Sequence, residues 1–389
     1  MKQFGVFYWF AAPFTFGAVQ LVLLPLLVPS RIYEITGSML DTGIALSCVG
    51  VCGLFAPIIG RTVDSFSLHG PAIIFGLTCY TFSMAIFGNA VSEASMYAAS
   101  FLLGIGSITI MTINPTFIIA AKLNRITESF YLTRMNQFVH LGAIFATGLS
   151  ISIKHLPVWK QFIMISVFTI FATITTAMDV HKASKQIDID KHNAPKTEKR
   201  HWNPTFAAFL IAVCIAMVAS TNQIVYGPTL FKTLFSIDHT LIASVLGVSS
   251  ALSLLTLDLV NRTIYRTCST KIWAIGLIGY IAVALSLRFL THIDTKTAYL
   301  PLILHLLFMQ FMSVIDLVKP AIASKLSLRS PAYTQGALLF ATTIGYALGV
   351  SIGGFTAEAL KLSAVFLVVS TSASIALLIA SYVSFKQNQ

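Results

Sequence analysis

The sequence predicts an all-α membrane protein of twelve transmembrane helices in two six-helix bundles, with both termini in the cytosol. Three observations predict it. Of 389 residues, 56% are hydrophobic and only 10% charged, whereas a soluble domain carries about 25% charged residues. Hydropathy rises and falls about twelve times, in stretches close to the roughly 20 apolar residues that a helix needs to cross a bilayer. With Lys2 placed in the cytosol, about 18 of the 25 Lys and Arg fall on the cytosolic side and about 7 outside, the positive-inside pattern.

Taken in order, spans are expected at about 5–29, 41–60, 70–90, 94–119, 134–153, 158–178, 204–230, 240–260, 271–290, 299–321, 334–355 and 361–384. The first exceeds the apolar region of about 7–15 residues in a secretory signal, so it is read as a retained helix. Trp9, Trp159, Trp202 and Trp273 fall near predicted helix ends, where aromatic rings gather at a bilayer surface. Residues 1–178 form the first bundle and 204–389 the second. Between them, 179–203 is a cytosolic basic linker with Lys182, Lys185, Lys191, Lys196, Lys199 and Arg200, read as a solvated segment on an anionic leaflet. The even split suggests two structural repeats, one of the architectures that place a site near the membrane midplane. Gly345, Gly349 and Gly353 form a stripe in span 11, and Gly104, Gly106, Gly142 and Gly148 mark further expected close crossings.

Composition also excludes classes of function. A nucleic-acid surface clusters its Lys and Arg on one face of a folded domain, but here they sit between apolar spans despite a net charge of +11. No Walker loop, zinc-binding His-Glu-x-x-His helix or Gly-x-Ser-x-Gly elbow is present. No enzyme, metal site or cofactor is therefore expected. Cys48 and Cys52 share a helix face without acidic or His partners nearby, and they read as small packing residues rather than metal ligands.

The segment Gly60-Arg61-Thr62-Val63-Asp64-Ser65-Phe66-Ser67-Leu68-His69-Gly70 follows expected span 2. There, Gly60 and Asp64 match at their spacing the loop signature of the major facilitator superfamily, while Ser65, Ser67, Leu68 and His69 depart from it. Leu103-Gly104-Ile105-Gly106 in span 4 and Ile344-Gly345-Tyr346-Ala347-Leu348-Gly349, with Gly353 and Gly354, in span 11 resemble the same family. Ser100 stands where proton-linked members often carry Arg, and Thr147-Gly148-Leu149 replaces the Gly-Pro pair of many drug antiporters. The resemblance implies that fold and a gating role for Gly60, Arg61 and Asp64. Lys122, Arg125, Arg134 and the start of span 11 near Thr334 are the implied partners. It also places spans 1, 4, 7 and 10 along the central cavity. Gln20, Asn114, Asn222, Gln223 and Tyr226 thereby become candidate substrate contacts, with interhelical hydrogen bonding as the alternative for each. Pro13, Pro115 and Pro228 lie in three of those spans.

Ionisable groups inside a span cost about 2.5 to 3.5 kcal/mol on insertion scales and default to functional candidates. These are His140, His305, Asp316 and Lys319, expected to couple protons. Asp316 and Lys319, three apart, share a helix face and could instead only neutralise each other. The resemblance thus implies a secondary active transporter, with proton-coupled export of a small organic or amphiphilic solute by alternating access as the expectation. Uptake of a nutrient or metal-chelate, or a non-transporting receptor or scaffold, are the alternatives. The expected partners are the solute, protons or another coupling ion, and the lipid bilayer. A monomer in a bacterial inner membrane is the expected setting.

Overall fold

The structure, a computed structural model, describes residues 8–119, 125–185, 203–264, 269–293, 299–327 and 331–387. Among them twelve long helices follow one another. Helix α1 runs through Ala11–Ala18, a π-helical turn Val19–Leu23, and Leu24–Thr36. Helix α2 joins Met39–Val51 and Ala56–Phe66 through the 3-10 turn Cys52–Phe55. The others are α3 (His69–Asn89), α4 (Glu93–Ile119), α5 (Arg125–Ile153), α6 (Val158–Lys185), α7 (Pro204–Phe235), α8 (His239–Ile264), α9 (Ser269–Leu290), α10 (Tyr299–Leu326), α11 (Pro331–Ala359) and α12 (Val365–Gln387). Eleven are long and apolar enough to cross a bilayer. The exception is α5, where Arg134, Asn136, Gln137 and His140 break the apolar run in its first half.

Several helices outlast their apolar stretch. Helix α2 continues to Phe66, and only at Ser67, with φ 56°, does the chain turn left-handed, Leu68 N–H closing on the Val63 carbonyl at 2.9 Å. Most of the Gly60–Gly70 segment is therefore the end of a helix, not the loop expected from sequence. Likewise α6 reaches Lys185, so Asp179–Lys185 is helical where a linker was expected. Hydropathy ends where the bilayer does, but backbone hydrogen bonding continues into polar residues. The rest of the linker, residues 186–202, lies outside the described residues.

By packing, the chain divides into two units, Met1–Leu23 with Cys52–Thr197, and Leu24–Val51 with Glu198–Gln389. In the first, α3 packs against α4 and α6, and α5 against the beginning of α1. In the second, α11 is held between α7 and the first half of α2, and α12 packs on α7 and α9.

Glycines set these approaches. A Cβ on Gly349 would lie 3.0 Å from Val218 Cα, and one on Gly353 would collide with the Asn222 carboxamide. Gly354, on the adjoining face, would meet the Met39 carbonyl at 2.5 Å. In the first unit Gly106 faces the Gly76 carbonyl at 2.6 Å. Gly148, an expected crossing, and Gly60 are different. Nothing lies within 4 Å of a Cβ built on Gly148, and one on Gly60 would make ordinary contact with Thr112 Cγ2 at 3.6 Å.

The tryptophans divide as well. Trp159 is exposed, with Lys160 Nζ 5.3 Å from its ring centre. Trp9 and Trp273 are buried instead, Trp9 stacked on Phe10 at 4.5 Å and Trp273 edge-on to Phe209 at 5.2 Å. Their rings turn into helix packing, not toward a bilayer surface. Trp202 lies outside the described residues.

Candidate functional site

Each unit contains a polar centre inside its apolar helices. In the first it forms at the π-turn of α1. Pro25 has no N–H to close the ladder on the Leu21 carbonyl, and the wider turn Val19–Leu23 precedes it. Such turns inside α-helices often sit at functional positions. This one carries Gln20. Its Nε2 donates to Ser107 Oγ at 2.5 Å and to Tyr80 Oη at 3.2 Å, and those two hydroxyls are 3.0 Å apart. Ser107 in turn donates to the Leu103 carbonyl at 2.6 Å. The carboxamide nitrogen is thus fully used, while Oε1 accepts no hydrogen bond from a described residue. Gln20 is partly exposed, so a fixed acceptor is presented beside a closed hydroxyl pair.

Asn114, which precedes Pro115 inside the continuous helix α4, is buried, with its Oδ1 unpartnered among the described residues. His140 is half-buried on α5. Neither joins the Gln20 cluster.

In the second unit α7 supplies three of the expected substrate contacts, and the structure gives them different tasks. Asn222 is fully buried and its Nδ2 donates to the Gly349 and Val218 carbonyls, each at 2.8 Å. Tyr226 Oη donates to the Val350 carbonyl at 2.7 Å. Both side chains clamp α7 to α11. Gln223 points elsewhere, its Nε2 donating to His305 Nδ1 at 3.1 Å. That geometry leaves the imidazole proton on Nε2. Among the described residues, His305 Nε2 and Gln223 Oε1 are buried without a partner, with Phe231 4.7 Å from the imidazole. One donor and one acceptor are therefore left unused on this pair.

Deeper on α10, Lys319 Nζ and Asp316 Oδ1 are 2.5 Å apart, one turn from each other. The ammonium also approaches Met217 Sδ of α7 at 3.6 Å. The expected neighbours do meet.

The gating group is only partly in view. Arg61 is exposed, and Arg134 donates to Gln137 Oε1 at 3.2 Å while lying 5.1 Å from the Phe130 ring centre. Thr334 donates to Ser327 Oγ at 2.6 Å. The side chains of Asp64 and Arg125, and Lys122 altogether, lie outside the described residues.

Sequence reasoning missed Tyr80, Ser107, Met217 and Gln310. The last carried the same signal as Gln20, an amide in an apolar span. Its Nε2 donates to the Ser249 carbonyl and hydroxyl at 3.0 Å, leaving Oε1 buried and unpartnered. Tyr80, Ser107 and Met217 had no such signal, because each residue type is ordinary in a helix core.

These helices and centres can be compared with known proteins. The sequence profile of the Major Facilitator Superfamily matches residues 8–354. The chain belongs to the major facilitator superfamily. This is a transporter family, not an enzyme family. No match to a curated protein was found. Solved structures of the same fold include a mutant of the nucleoside transporter NupG, 12% identical, with a TM-score of 0.77 over 97% of this chain and 98% of that one. A second NupG structure is 13% identical, with a TM-score of 0.73 over 97% of each chain. A bacterial homologue of the human lysosomal transporter Spinster, inward-facing and occupied, is 12% identical with a TM-score of 0.73, over 97% of this superfamily member and 95% of its own length. At those identities the likeness is one of fold.

Proposed function

We propose that this superfamily member is a proton-coupled secondary transporter that exports a small organic or amphiphilic solute by alternating access. The observation that carries this reading is the closed Asp316–Lys319 pair inside an apolar span. Two ionisable groups so placed are costly to insert and are held where a charge can move or be exchanged during a cycle. His305 and His140 supply further proton sites, and Gln20, Asn114 and Gln223 supply neutral hydrogen-bonding groups to a solute. Asn222 and Tyr226, being engaged with α11, reach a solute only if the α7–α11 contact loosens. Gly60, Arg61, Asp64, Arg125 and Arg134 form the gate at the cytosolic helix ends. The charge distribution favours cytosolic termini, and the reading is completed by a monomer in a bacterial inner membrane with 1–178 and 204–389 as the two moving halves.

The test is flux. Purified protein in vesicles enclosing a pH-sensitive dye is challenged with labelled solutes, nucleosides among them because a nucleoside transporter shares the fold. Solute movement that requires a pH gradient and shifts the internal pH is the expected result. If solutes move only with their own gradient and leave internal pH unchanged, proton coupling is wrong. If none moves while one binds stably, a receptor replaces the transporter.

A further inference from the structure

The two partners of the Asp316–Lys319 pair are unequally open. Lys319 is 8% exposed and Asp316 50%. The register of α10 explains the difference. Beyond Tyr299 at its first position, Leu300, Ile303 and Leu307 are its exposed large apolar residues, and they share one face, the face suited to lipid. Leu307 precedes Asp316 by nine residues, which at about 100° per residue turns the carboxylate about 180° from that face. On the side of α10 toward α9, Gly276 and Gly279 receive Ile315 and Phe311, so that side is closed. Asp316 therefore points away from those apolar residues, and its half-exposure is what a carboxylate turned toward a water-accessible side of the helix would have.

Among the described residues it is also the one carboxylate more than two turns from either end of its helix. Apart from Lys319, no described group donates a hydrogen bond to it. A solute reaching that side first meets an anionic acceptor, with its paired cation, Lys319, buried behind it. An anionic solute is repelled. An ammonium presents the same N–H donors as Lys319 and can take its place.

We propose that Asp316 recognises solutes bearing a primary or secondary ammonium group, and that Lys319 is the internal cation occupying the carboxylate when no solute is bound. In the exchange the solute ammonium takes over the carboxylate while Lys319 keeps only its contact with Met217 Sδ, so solute binding must exceed the cost of loosening a buried pair. This inference rests on the transport reading above and gives it a substrate class.

Three probes with one ring and different charge test it: tyramine (cation), tyrosol (neutral) and 4-hydroxyphenylacetate (anion), each titrated against thermal unfolding of the full-length protein in detergent. Tyramine alone should stabilise the wild type. Lys319→Met removes the competing cation, and should tighten tyramine binding about tenfold by raising the fraction of protein with a free carboxylate. A merely structural ion pair predicts the opposite sign. The neutral double variant Asp316→Asn/Lys319→Met avoids an unpaired buried ammonium, and should bind tyramine at least about tenfold more weakly than wild type.

Equal stabilisation by tyrosol or 4-hydroxyphenylacetate, unchanged tyramine binding in the double variant, or no stabilisation by tyramine would each overturn the proposal. Vesicle flux separates the two readings. Movement of tyrosol without tyramine leaves transport standing and removes the ammonium site. Tyramine binding of the expected kind without flux of any probe keeps the site and removes transport.

Discussion

The carboxamide of Asn222 occupies the volume that a side chain on Gly353 would need, while its Nδ2 donates at 2.8 Å to the carbonyl of Gly349, one turn earlier on α11. Each residue specifies the other. Gly353→Ala should destabilise the protein by about 1–3 kcal/mol, because the added methyl has no room. Asn222→Ala should cost about 1–3 kcal/mol through two lost buried hydrogen bonds. The double variant should cost less than the sum, since the smaller residue at 222 removes the nearer of two obstructions to the methyl and leaves Tyr226 Cε2 at 2.6 Å. Thermal or denaturant unfolding in detergent checks this, and strictly additive losses would show that the two sites are uncoupled.

The ion pair on α10 should respond unequally to removal of its two partners. Asp316→Asn leaves a buried ammonium uncompensated, at a cost of about 3–5 kcal/mol. Lys319→Met leaves a half-exposed carboxylate that water can still reach, and should cost clearly less. Comparing the unfolding midpoints of the two variants at one pH reads the order, and a reversed order would mean that Asp316 is the more deeply buried partner.

At the π-turn of α1, loss of the amide should separate function from stability. Gln20→Leu keeps the volume and frees two hydroxyls that still bond to each other at 3.0 Å. Its expected stability cost is about 1 kcal/mol, the net worth of an ordinary hydrogen bond. Solute flux should fall by at least about tenfold if Oε1 contacts the solute, the loss of about 1.4 kcal/mol of binding. Ser107→Ala, which leaves Gln20 bonded to Tyr80, should keep more of the flux. Parallel measurements of flux and unfolding decide between a solute contact and a packing role.

Two glycines should behave differently although both lie in helices of the first unit. Gly60→Ala meets Thr112 Cγ2 at 3.6 Å, an ordinary contact, and should be neutral or stabilising by about 0.5–1 kcal/mol from helix propensity. Gly106→Ala pushes a methyl against the Gly76 carbonyl and the Tyr80 ring, at 2.6 and 2.7 Å. It should cost about 1–3 kcal/mol. Unfolding midpoints of the two single variants test the contrast.

Sequence alone determined the membrane class and the number and order of the helices, because an apolar stretch of bilayer length has no stable alternative to a helix. It also identified Gln20, Gln223, His305, Asp316 and Lys319 as unusual, because a polar group in such a stretch is costly. Helix ends were less legible. Phe66 and Lys185 close their helices among polar residues, where hydropathy no longer reports on backbone hydrogen bonding.

Only the tertiary structure decided what each polar group faces. Tyr80 and Ser107 stand 60 and 87 positions from Gln20, and nothing in either residue type reports a partner so distant. Asn222 and Gln223 are adjacent in sequence and carry the same amide. One is folded into the α7–α11 contact and the other onto His305, because a step of about 100° around a helix points neighbouring side chains at different helices.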